Sequence, residues 1–140
     1  MNKKILIVLA NYYKDISDGL LKSALKNIPR SNRVKVIRVP GVFEIPVTIS
    51  KNSKKFDAFL ALGCVIKGQT PHFDLLCSSL FNSILSLSIK YNKPIGNGVI
   101  TALNLNQATQ RSKTNSNKPN KGSEAANAVI SILNNGPKKI

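Results

Sequence analysis

A single histidine, His72, stands in Gly68-Gln69-Thr70-Pro71-His72-Phe73-Asp74. An imidazole exchanges a proton near neutral pH, the property that condensation and dehydration chemistry requires. Asp74 can orient that ring or cap a helix, and a lone histidine can also be no more than a surface residue. Arg111 is the one arginine outside the cluster of Arg30, Arg33 and Arg38. Its planar fork of donors matches a phosphate, and as a helix-terminal charge it can instead offset the negative helix end. Lys121-Gly122, at the opening of the last helix, is a further place for an anion. Tyr12 and Tyr13 can stack on a planar heterocycle, pack, or face solvent. In Pro40-Gly41-Val42-Phe43-Glu44 a glycine beside a helix start leaves backbone N–H groups for a ligand. Glu44 can bond that ligand or cap its own helix. The chain has no P-loop, GxGxxG, GxSxG or metal-ligand cluster.

Those residues depend on the elements that carry them. The continuous apolar run at residues 5–9 predicts a strand covered on both faces. Asp15 and Ser17 are candidate caps for a helix in which Ile16, Leu20, Leu21, Ala24, Leu25 and Ile28 recur at helical spacing until Pro29. Residues 34–39 read as a second strand, 42–50 as a short helix with Pro46 in its first turn, and 56–62 as a third strand, with Gly63 letting the chain turn. Leu76, Leu80, Ile84, Leu87 and Tyr91 trace one face of a helix over residues 73–91. A fourth strand at 94–101 is interrupted by Gly96 and Gly98, and a helix at 104–111 follows. Residues 112–121 are a polar loop, and 124–133 form the last helix. Strands alternating with helices predict one domain over residues 1–140, a single-domain three-layer α/β/α sandwich with a four-stranded parallel sheet. Ligands of such sheets bind at the carboxyl ends of strands. That rule marks residues 10–14, 40–44, 63–74 and the surroundings of Asn97.

Composition narrows the class. A chain of 140 residues, 42% hydrophobic, is long enough for one core and too apolar for wholesale disorder. No apolar run approaches the roughly 20 residues of a membrane span. Lys3 and Lys4 before residues 5–10 resemble the start of a signal peptide, but the apolar stretch is too short, and the expectation is a cytoplasmic protein. Cys64 and Cys77 lack the paired spacing of a zinc or redox motif and read as packed thiols. The formal charge is +15, from 21 Lys and Arg against six acids. The lysines are spread along the whole chain, so a solvated basic surface is preferred to a specific nucleic-acid site.

Three stretches carry a resemblance. They are Val39-Pro40-Gly41-Val42-Phe43-Glu44-Ile45-Pro46, then Leu62-Gly63-Cys64-Val65-Ile66-Lys67-Gly68-Gln69-Thr70-Pro71-His72-Phe73-Asp74, then Asn120-Lys121-Gly122-Ser123-Glu124. Together they resemble the lumazine synthase family of riboflavin biosynthesis, with weaker similarity over nearly the whole chain. The resemblance implies condensation of 5-amino-6-(D-ribitylamino)uracil with 3,4-dihydroxy-2-butanone 4-phosphate, without cofactor or metal, to 6,7-dimethyl-8-ribityllumazine. It also implies a homo-oligomer, a pentamer with sites between neighbouring subunits, while the composition gives the expectation of no membrane and no specific nucleic-acid partner. By the same resemblance His72 is the proton-transferring residue. Tyr12, Val42, Phe43, Glu44, Cys64, Val65, Ile66 and Asn97 fall at positions that hold the ribitylaminouracil. Gln69, Thr70 and Arg111 fall at positions that hold the butanone phosphate.

The chain departs from the family pattern twice. Asn97 stands where the family usually has Phe, and an amide offers hydrogen bonds in place of apolar area. The loop after Arg111 looks about two residues longer than usual by alignment of these motifs. The alternative reading is a catalytically weak family member that serves as an oligomeric scaffold or a basic binding protein.

Overall fold

The four apolar runs become strands β1 (Lys4–Ala10), β2 (Arg33–Val39), β3 (Ala58–Ile66) and β4 (Ile95–Ala102) in the computed structural model, which describes residues 2–114 and 119–140. All pair in parallel in the order β2-β1-β3-β4. The two central strands hold Ile5 to Leu9 and Ala58 to Leu62, all fully buried. Burial of each large aliphatic side chain there stabilises the fold by about 1.5–3 kcal/mol. Edge strand β2 keeps Arg33, Lys35 and Arg38 exposed, which discourages another chain from pairing with it.

Five helices cover the sheet: α1 (Lys14–Lys26), α2 (Ile45–Lys51), α3 (His72–Tyr91), α4 (Leu105–Ser112) and α5 (Lys121–Asn134). Alternation along β1 divides the core. Ile5, Ile7 and Leu9 pack with residues of α1, α4 and α5 such as Leu20, Ala108 and Ala126. Leu6, Val8 and Ala10 pack with Ile45 and Ile49 of α2 and Leu80 and Ile84 of α3. The result is the three-layer α/β/α sandwich that the pattern of elements predicts. At Gly122, in the first turn of α5, a Cβ would collide with the Leu20 carbonyl, so glycine lets α5 lie directly on α1.

Several local expectations are corrected. Gly63 is not a turn: β3 runs on to Ile66, and Gly63 pairs with Val99 inside the sheet. Its lack of a side chain makes room for packing, since a Cβ would lie 2.8 Å from Val42 Cγ1 and 2.9 Å from Ala10 Cβ. β4 likewise passes through Gly96 and Gly98 without a break. The helix expected at 42–50 divides into a 3-10 turn at Val42–Glu44 and α2. Neither Asp15 nor Ser17 caps α1, which begins after Tyr13; Ser17 Oγ is buried and donates to the Ala10 carbonyl at 2.6 Å. The last helix starts three residues early because Asn120 caps it, its Oδ1 accepting from the N–H groups of Gly122 (2.7 Å) and Ser123 (3.3 Å). In the expected loop at 112–121, α4 extends through Ser112 and α5 takes Lys121, while residues 115–118 lie outside the described residues.

Helix α3 also qualifies the reading of apolar runs. It is 20 residues long and, by length and composition alone, apolar enough to cross a bilayer. Leu80 and Ile84 are buried against the sheet, while Phe81, Leu85 and Ile89 form an exposed apolar stripe at four-residue spacing.

Candidate functional site

The carboxyl ends of β1, β2 and β3 open into a recess of about 370 Å³. Tyr12 and Tyr13 come from the end of β1, and Gly41, Val42 and Phe43 from the link after β2. Cys64, Val65 and Ile66 come from the last residues of β3, and His72 and Leu76 from the start of α3. Seven residues that the resemblance assigns to the site thus share one recess: Tyr12, Val42, Phe43, Cys64, Val65, Ile66 and His72. The shape depends on Gly63, which lets the 3-10 turn press Val42 against β3 and swing Phe43 outward.

Two rings stand free at this recess, Tyr12 at 76% exposure and Phe43 at 67%. Tyr12 meets Tyr13 edge-on, with ring centroids 4.9 Å apart at 75°. Tyr13 is more enclosed, and burial, with Cys64 and Tyr12 nearby, pushes its phenol above the ordinary value. Burial also pushes the Cys64 thiol up to about 11. Such a thiol is protonated at neutral pH, so Cys64 is a wall of the recess and not a nucleophile. His72 opens α3 with its side chain exposed, and its backbone N–H donates to Thr70 Oγ1 at 3.4 Å. Gln69 and Thr70 are exposed on the connection between β3 and α3, just before His72 and outside the lining of the recess. Glu44 realises the capping alternative: its Oε1 accepts from the Gly41 N–H at 3.1 Å while its own N–H donates to the Gly41 carbonyl at 3.2 Å.

Asn97 and Arg111 lie in a second recess, of about 540 Å³, along the free edge of β4. Asn97 is not at a strand's carboxyl end, as the strand-end rule had placed it, but is the third residue of β4, opposite Ala61. Its Oδ1 accepts from the Val99 N–H at 3.1 Å, satisfying a local backbone donor. Arg111 Nη1 donates to the Gln107 carbonyl at 3.1 Å, and the exposed guanidinium keeps further donors for an anion. Lys121 joins it in the lining, its Nζ 3.6 Å from Glu124 Oε2. Among the described residues, none lines both recesses.

Residues 2–136 match the family described as 6,7-dimethyl-8-ribityllumazine synthase. The chain belongs to that family. Membership places it in riboflavin biosynthesis, a setting of small-molecule substrates and oligomeric assembly. Within that frame, sequence reasoning missed Phe81, an aromatic ring that α3 contributes to the same recess as Asn97. The signal was present: Phe81 lies off the buried stripe of Leu80 and Ile84, where a large apolar residue has no place in the core. Among the described residues, no group of three or more His, Cys, Asp or Glu is gathered as a metal site.

Proposed function

We propose that this lumazine synthase family member is an active cytoplasmic enzyme. It condenses 5-amino-6-(D-ribitylamino)uracil with 3,4-dihydroxy-2-butanone 4-phosphate, releasing phosphate and water to form 6,7-dimethyl-8-ribityllumazine. The observation that carries the reading is the division of the site residues between two separate recesses on one protomer. The strand-end recess has the rings of Tyr12 and Phe43 and the only histidine, and the β4-edge recess has the guanidinium with the ring of Phe81. Each is half of what the reaction needs, and packing one protomer's first recess on a neighbour's second completes it. The exposed stripe of Phe81, Leu85 and Ile89 supplies apolar surface for such packing, and a ring of five is the assembly proposed.

In this scheme the rings of Tyr12 and Phe43 flank the planar uracil, each stack worth about 0.5–1.5 kcal/mol beyond burial. Arg111 holds the phosphate by charge-assisted hydrogen bonds. The 5-amino group attacks the ketone, and loss of water gives an imine. Phosphate then leaves, and ring closure with loss of a second water completes the heterocycle. His72 moves protons in these steps, a contribution of about 10²–10⁴-fold where the group is well positioned. Incubating the purified protein with both substrates and following product fluorescence tests the reading. Product at a rate above the uncatalysed background supports it, and a rate equal to background overturns it in favour of a scaffold.

A further inference from the structure

Because every strand is parallel, all the connections that lead from helix to strand meet at the amino end of the sheet. Hydrogen bonds knit them into one surface. Arg33 N–H donates to the Lys3 carbonyl at 2.8 Å, Asp57 N–H to that of Lys4 at 2.8 Å, and Phe59 N–H to that of Pro94 at 3.0 Å. Lys3, Lys4 and Arg33 stand at the strand starts here. Arg30, Lys54, Lys55 and Lys93 lie in the connections. Lys26, Lys51 and Lys90 close the last turns of α1, α2 and α3. These ten are nearly half of the chain's 21 Lys and Arg residues. One acid, Asp57, stands among them, with its Oδ2 accepting from the Lys4 N–H at 2.8 Å.

The opposite end of the sheet is different. There, among the described residues, Lys14, Arg38, Lys67, Arg111, Lys113 and Lys121 face five acids: Asp15, Asp18, Glu44, Asp74 and Glu124. A chain that is basic through composition alone carries its excess at both ends. Helix dipoles account for the three last-turn lysines, and the hydrogen bond from Lys93 Nζ to the Ser53 carbonyl accounts for a fourth cation, which leaves six. Four strands about 4.8 Å apart between two helix layers make a face of roughly 15 by 20 Å. Across it, neighbouring charges lie within about one or two Debye lengths and reinforce one another.

We propose that this amino-end face binds the phosphate backbone of nucleic acid, without reading its sequence. Lysines scattered over a surface neutralise phosphates but do not discriminate bases. Ser31 and Asn92 stand exposed between them as donors for phosphate and sugar oxygens, while Asn27 and Asn52 already give one amide hydrogen each to the Ser23 and Thr48 carbonyls. A bilayer headgroup surface carries the same charge; the connections themselves expose no large apolar side chain to insert into it, and in the last turns that join them Leu25 and Ile89 are the exposed ones, so the vesicle arm of the test separates the two sources.

The test is fluorescence anisotropy of the full chain with a labelled single strand of about 20 nucleotides and mixed sequence, titrated at roughly 50–200 mM salt. Saturable binding that weakens steeply with salt is expected. Lys54→Glu/Lys55→Glu should lower the affinity at least about tenfold and flatten the slope of log K against log salt by about 1.4, two contacts' worth for a single strand. Lys4→Gln/Arg30→Gln, a second pair on the same face, should lower the affinity as well. Lys14→Glu/Lys113→Glu changes the net charge as much at the other end and should alter affinity less than about threefold, because its charges are screened from the face. Circular dichroism establishes that each variant is folded. Equal losses from pairs at the two ends would overturn the proposal in favour of diffuse attraction by net charge. So would binding to phosphatidylserine vesicles without binding to the oligonucleotide, or no saturable binding at the lowest salt.

Discussion

Replacing Gly63 by alanine sets a methyl group 2.8 Å from Val42 Cγ1 and 2.9 Å from Ala10 Cβ. Carbon atoms rest at about 3.5–4.0 Å, so the 3-10 turn must retreat from β3 by close to 1 Å. Ala10 lies in the central strand β1 and cannot yield, so the displacement falls on Val42 and on Phe43 beside it. Overpacking of this kind costs about 1–3 kcal/mol. Urea unfolding at one fixed protein concentration should therefore show Gly63→Ala less stable by that amount. Steady-state kinetics should show a raised KM for the ribitylaminouracil, whose ring platform has moved, with a smaller change for the butanone phosphate. Adding Val42→Ala removes the 2.8 Å contact but leaves the one to Ala10, so the double variant should recover part of the stability and show clear non-additivity. A Gly63→Ala protein as stable as the parent, with both KM values unchanged, would refute the account of how the recess is shaped.

His72→Ala should slow lumazine formation by up to about a hundredfold without abolishing it, because solvent can carry some of the protons; an unchanged rate at saturating substrates removes His72 from the reaction. Arg111→Ala should raise KM for the butanone phosphate more than for the uracil, and Lys should rescue it only in part because it lacks the planar fork. Equal effects on both substrates would mark Arg111 as structural. Phe81→Ala should weaken binding of a planar product analogue by roughly two- to thirteenfold, a stack of about 0.5–1.5 kcal/mol, and equal affinity would exclude contact with the heterocycle. Cys64 should resist alkylation at pH 7.5 and gain reactivity only as the pH approaches about 11. The unfolded thiol ionises near 9.0, so Cys64 favours the fold below that pH, and the advantage is lost as the pH rises from there toward 11. Rapid labelling of Cys64 at pH 7.5 in the folded protein would contradict its enclosure.

The layered fold was legible because its signals are local. Residues 5–9 could be covered on both faces only in a central strand, and the spacing of Leu80 and Ile84 in α3 leaves one face for the sheet. Gly63 was misread because the same residue serves a turn and a close approach, and only the position of Val42 across the sheet separates the two. The strand-end residues of the candidate site followed from the order of elements, but Asn97 and Arg111 did not join them, since no pattern within one chain says which recess a residue faces. Charge was the least legible feature. Lysines dispersed along the sequence fall together in space because parallel topology returns every helix-to-strand connection to the same end.

The single-sided burial of α3 has a consequence for how assembly and turnover are linked. Only Leu80 and Ile84 of its 20 residues are buried within the protomer, and the helix begins with His72. Phe73, Leu76, Cys77 and Leu87 add only partly buried packing, so this helix opens at lower free-energy cost than the fully buried β1 and β3, and its amide protons exchange with solvent sooner. When a neighbour covers Phe81, Leu85 and Ile89, mass action adds the association energy to the stability of that helix. On the proposed ring and the proposed role of His72, the group that moves protons is fully ordered only above the protomer concentration at which the ring closes. Specific activity is then expected to fall on dilution before the sheet itself loosens.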